Sequence, residues 1–157
     1  MANFLITIRD KTNLPPNKIG NIQLTIDHNT VHTFTYDNFI TETNPLYNDP
    51  EGDEPFKLKI VSYPNSSHQI QLNSIEIAEN DVIAFADIIA GNLTFVSDNN
   101  IITRDDYTFK FKIADEGSGL FSTGIGSFQI TIKALKNEPP TSVGDGEQTI
   151  DELQSLV

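Results

Sequence analysis

Asp49, Glu51 and Asp53 place three carboxylates within five residues. Pro50 and Gly52 stand between them, and both residue types belong to tight turns. Hard cations such as Ca²⁺ take six to eight oxygens, several of them from carboxylates. This turn is therefore the chain's candidate metal site, although its spacing is not that of an EF-hand loop. The competing reading is an acidic, solvated turn whose Asp side chains cap local N–H groups. His28, His32 and His68 are the only imidazoles. His28 and His32 stand four apart across a predicted turn, but no third ligand and no His-Glu-x-x-His accompanies them, so surface roles are expected. Gly117-Ser118-Gly119 and Gly124-Ile125-Gly126 precede a strand, whereas a phosphate-cradling loop needs a helix N-terminus behind it. No Gly-x-Ser-x-Gly and no Cys/His pair supplies a nucleophile. Paired carboxylates hydrolyse glycosides when they flank a bond; these share one short turn. The chain reads as non-catalytic.

Strands must position that turn. Tyr107, Phe109, Phe111 and Ile113 alternate with Thr108, Lys110 and Lys112, the period of a half-buried strand. Phe128, Ile130 and Ile132 repeat the pattern, as do Phe56, Leu58 and Ile60 with Lys57 and Lys59 facing outward. These apolar residues, apart from Ile113, are the predicted core. Further strands are expected at residues 22–26, 31–36 and 93–96, with a hairpin or two short strands around Asn73. Residues 37–55 read as turns and acid. Val82, Phe85, Ala86 and Ile89 have helical spacing, and Gly91 is placed to end a short helix in the left-handed conformation. Short strands with one buried face each imply two packed sheets. The expected fold is all-β: an antiparallel two-sheet sandwich with a short helical turn near 84–90.

The chain also repeats itself. FLITIRDKTNLPPNKIG, beginning at Phe4, and FQITIKALKNEPPTSVG, beginning at Phe128, align without a gap. Thr25-Ile26-Asp27 falls on Thr149-Ile150-Asp151 at the same offset. A repeated strand, Pro-Pro joint and following strand mark tandem architecture. The organisation expected is a terminal strand and Pro-Pro joint over 1–16, one β-sandwich repeat over 17–136, and a second joint with the start of a following repeat or tail over 137–157.

Composition bounds the partners. The formal net charge of −12 argues against nucleic acid, which needs a Lys/Arg surface. There is no Cys, hence no disulfide framework or thiol chemistry. No apolar run approaches the ~20 residues of a membrane helix, so membrane insertion is not expected. The first ten residues lack the basic and apolar regions of a secretory signal.

YNDPEGDEPFKLKIVSYP, then DVIAFADIIAGNLTFV, DDYTFKFKIADEGSG and GSFQITIKALKNEPP succeed one another in order. This order resembles the cadherin-like, Ig-type tandem repeats of bacterial surface adhesins and phage structural proteins. The joint departs from that pattern: the Asp usual beside its Asn is Leu14 once and Glu138 once. Glu51 also stands where Asp is more usual. The resemblance implies that Asp115, after the aromatic strand, and Glu138, at the second joint, join Asp49, Glu51 and Asp53 around Ca²⁺. It implies a structural module of a virion (phage tail, baseplate or head decoration), assembled in the host cytoplasm, that mediates assembly or attachment. The alternative is a calcium-stiffened repeat of a secreted adhesin at the cell surface, with a cell-surface ligand. The partners expected are other subunits, engaged through the terminal strands from Phe4 to Ile8 and from Gly144 to Val157.

Overall fold

The structure, a computed structural model, describes residues 12–17, 19–64, 66–98 and 104–134. The terminal strands from Phe4 to Ile8 and from Gly144 to Val157 lie outside the described residues, as does Glu138. The described chain runs β1 (Asn21–Ile26), β2 (Val31–Thr33), α1 (Tyr36–Ile40), β3 (Pro55–Ser62), β4 (Gln69–Leu72) and β5 (Ile75–Glu76). It continues through β6 (Val82–Ala84), α2 (Phe85–Ile89), β7 (Leu93–Val96), β8 (Asp105–Asp115) and β9 (Gly126–Ile132). One sheet has the order β1-β9-β8-β3-β6 and the other β2-β7-β4-β5. This is an all-β arrangement of two sheets around one core.

The alternating strands face that core as their period requires. Tyr107, Phe109, Phe111 and Ile113 of β8 and Phe128, Ile130 and Ile132 of β9 are all buried. Phe109 stacks on Phe128 at 5.2 Å between ring centroids. From the second sheet Phe95 meets Tyr107 at 5.1 Å. Each such aromatic removes a large apolar surface from water, and their tilted and edge-on contacts add to it.

Four expectations are corrected. The sheets are not wholly antiparallel: β1 runs parallel to β9, with Ile22 opposite Phe128 and Ile26 opposite Ile132. Phe56 is not in the core but 43% exposed. The pairing of β3 with β8 shifts between Pro55 and Lys57, so one extra residue reverses the facing of everything before it. The strand expected over 31–36 stops at Thr33. Thr35 caps α1 instead: its side chain accepts from the Asn38 N–H, and the Asn38 side chain accepts from the Thr35 N–H. The helix thereby buries Phe39, which packs edge-on against Phe111 at 5.3 Å. The helix near 84–90 forms as expected and Gly91 has φ +77°. It buries Phe85 and Ile88, however, and leaves Val82 and Ile89 exposed, because Val82 belongs to β6.

Candidate metal centre

The acidic turn leads directly into β3, and the loop after β8 comes back beside it. Pro55 pairs with Asp115, and the Glu116 N–H donates to the Glu54 carbonyl at 2.9 Å. Asp49 organises the turn. Its Oδ1 accepts from the N–H groups of Glu51 at 2.9 Å and Asp53 at 3.0 Å. To that extent the turn does what a capping Asp does. The other oxygen is different. Asp49 is 8% exposed, and its Oδ2 is buried with no hydrogen-bond partner.

The Pro-Pro joint closes over this turn. Asn13 Nδ2 donates to Asp53 Oδ2 at 2.7 Å, and the Leu14 N–H donates to Glu51 Oε2 at 3.2 Å. Asn13 Oδ1 is also buried without a donor. Gly117 approaches from the loop after β8. A Cβ on it would lie 1.8 Å from Asn13 Nδ2 and 2.3 Å from Asp53 Oδ2, so a side chain there would push that hydrogen-bonded pair apart. Tyr47 donates its hydroxyl to the Asp53 carbonyl at 3.3 Å. Burial pushes the Tyr47 phenol far above its ordinary range, and the carboxylates of Asp49 and Asp115 push it further.

Asp115 is fully buried but satisfied. Its Oδ2 accepts from Ser118 Oγ at 2.7 Å, and its Oδ1 accepts from the Ser118 N–H. The structure thus brings Asp49, Glu51 and Asp53 together with the loop that Asp115 anchors. In place of Glu138 the first joint supplies its repeat counterpart Leu14, through a backbone N–H. Among the described residues no group of three carboxylate or imidazole side chains forms a ready-made metal cage.

The donor chemistry nevertheless fits a hard cation. A buried oxygen without a donor is costly, more so when it is ionised. There are two such oxygens, the Asp49 carboxylate oxygen in the turn and the Asn13 amide oxygen in the joint bonded to it, both of the type that calcium takes. A water molecule would satisfy their hydrogen bonding but not offset the surrounding negative charge. Asn13 was not singled out from the sequence. The signal for it was its recurrence as Asn137 in the second Asn-x-Pro-Pro.

Among the described residues no metal-ligand group gathers around the histidines. His32 lies 3.4 Å from Asn38 Oδ1 and edge-on to Phe34. His68 corrects the expectation of a surface role: it is 1% exposed. Its Nδ1 accepts from the Asp98 N–H at 3.0 Å, so Nε2 carries the proton and donates to Asp105 at 3.1 Å.

No model of a known protein family, no curated protein and no solved structure matches this chain.

Proposed function

We propose that the chain is a non-catalytic structural module of a cadherin-like, Ig-type tandem assembly, and that a Ca²⁺-type cation locks its Pro-Pro joint onto the acidic end of the sandwich. The observation that carries this reading is the bare, buried Asp49 Oδ2 beneath the joint. Asp49, Glu51, Asp53 and Asn13 would hold the cation, with Asp115 adding charge from the neighbouring loop. The joint recurs as Asn137-x-Pro139-Pro140. The same clamp would then fasten a following unit, and a series of locked joints makes a stiff spacer.

Such a module serves assembly or attachment, in a virion or in a secreted adhesin. Calcium separates the two settings. A ligand bound only by the folded form stabilises it by mass action, about 2.7 kcal/mol at a concentration a hundred times its Kd. For a domain of this size that raises the unfolding midpoint by roughly 5–10 °C. Thermal melts in chelator and in millimolar calcium should differ by that amount, and Asp49→Ala should erase the difference. An unchanged melt would remove the cation and leave the virion component, held together by its own strands, as the better reading.

A further inference from the structure

The outward face of the five-stranded sheet is charged against the rest of the molecule. Lys57, Lys59, Lys110 and Lys112 all point from it, in a chain whose net charge is −12. Lys59 stands directly opposite Lys112. Lys57 and Lys110 stand two residues from them along β3 and β8, toward opposite ends of the pair. At sheet spacings, four ammonium stems therefore rise about 5 Å apart across strands and about 7 Å apart along them. Like charges placed directly opposite are destabilising. Among the described residues none of the four has a carboxylate within ion-pair distance: the ion pairs there are His68–Asp105, Arg104–Asp106 and Lys133–Asp27. A chain with 22 Asp and Glu has placed none of them against these lysines among its described residues.

Beside the lysines, the edge strand β6 sets the exposed Val82 opposite Lys59, whereas the rows on β1 and β9 are mostly neutral and polar. Asn21 stands opposite Ser127, Gln23 opposite Gln129 and Thr25 opposite Thr131. Gln23 and Gln129 reach one another at 3.4 Å. The one carboxylate in these rows, Asp106, is engaged by Arg104 and Thr131. At the acidic end of the face Phe56 is exposed, and Lys57 Nζ lies 4.8 Å above its ring.

We propose that this face binds a carboxylate-bearing glycan, a uronate-type chain lying flat across the strands. The lysines would meet its carboxylates, the amide and hydroxyl rows its hydroxyl groups, and Phe56 the apolar face of one sugar. A protein partner fits less well, because protein interfaces centre on buried apolar anchors and are depleted in Lys. Nucleic acid fits less well too. Its charge density, one phosphate per ~1.7 Å of duplex, meets strong repulsion from an acidic molecule. Uronates spread fewer charges among many hydroxyl groups. The cations are also lysines, point charges rather than the forks that suit phosphate. The glycan face is independent of the cation at the joint.

Calorimetric titration with a hexameric oligogalacturonate tests it, with maltohexaose and a short single-stranded DNA as comparators. The oligogalacturonate should bind, and more weakly as salt rises from about 50 to about 500 mM. Lys59→Gln with Lys112→Gln should weaken binding at least tenfold, and replacing all four lysines by Gln should abolish it. Both variants should keep or raise the unfolding midpoint, because repulsion is relieved. Ile75→Ser, on β5 of the other sheet and exposed, should leave binding unchanged. No binding at millimolar oligogalacturonate, equal binding by the double variant, or tighter binding of DNA would overturn the proposal. So would a dimer in solution that the quadruple variant dissolves, since a second copy would then be the occupant.

Discussion

Asp115 and Asp49 are two buried carboxylates at the same end of the sandwich, and their loops treat them differently. The loop after β8 closes on Asp115: Ser118 supplies donors to both oxygens. The turn before β3 supplies donors to one oxygen of Asp49 and leaves the other bare. Both loops are held to the same pair of strands, so the difference does not come from the scaffold. It comes from the residues next along the chain. Asp115 has a serine three residues on, whereas Asp49 is succeeded by Pro50, which has no N–H, and by Glu51 and Asp53, whose side chains are acceptors. A carboxylate that its own loop completes is structural. One left incomplete beneath a joint is where a second component can act.

The comparison can be broken in several ways, beginning with the strands that carry both loops. Phe109→Ala should cost ~3–5 kcal/mol in calcium and in chelator alike, as loss of a buried aromatic does. Lys110→Ala, its outward neighbour, sets the baseline at within about 0.5 kcal/mol. Equal losses by denaturant unfolding would mean that β8 faces the other way. Asp115→Ala should come next, at ~2–3 kcal/mol, because it strips the acceptor from the Ser118 donors. Most of that cost should remain in chelator, calcium adding only the smaller loss of a neighbouring charge. Asp49→Asn should behave in the opposite manner. An Asn keeps one acceptor oxygen and replaces the bare anion with a neutral group. In chelator the change should fall within about 1 kcal/mol of zero, and in calcium it should remove the stabilisation. If the two Asp variants respond alike to calcium, the distinction between the loops fails.

The smallest effect concerns pH. Burial holds the His32 imidazole below its ordinary value of 6.5, against the opposing pull of Asn38 and Glu42. The folded form therefore binds fewer protons than the unfolded one just below pH 6.5. Stability from neutral His32 is complete above pH 6.5 and is lost as the pH falls through the lowered folded value. Unfolding midpoints of His32→Gln should decline less steeply than those of the parent just below pH 6.5. An unaltered slope would move that proton uptake to another group.

Much of the core was legible because strict alternation leaves a strand one way to face. Tyr107 to Ile113 and Phe128 to Ile132 are such runs. Phe56 misled because alternation cannot reveal a bulge; the extra residue exists only relative to β8. Helix α1 was hidden because five residues carry too little periodicity, and its capping box uses Asn38 where Glu or Gln is the familiar partner. Asp49, Glu51 and Asp53 were named from their spacing on one turn, and Asp115 from the resemblance alone. Asn13 was not, since a lone amide becomes notable only once the joint folds over the turn. The outward facing of the lysines was readable strand by strand. Their gathering into one patch needed the register that sets Lys59 beside Lys112.

The parallel pairing of β1 with β9 has a mechanical consequence. The described chain enters this sheet at Asn21 and leaves it at Ile132, and parallel neighbours put those points at opposite ends of the sandwich. Tension applied to the chain before β1 and after β9 would drag β1 one way and β9 the other, along their shared seam. Its evenly spaced bonds would bear that load together, in shear, instead of opening one after another like a zip. A fold loaded through its two ends in this way resists stretching along the axis of the pull.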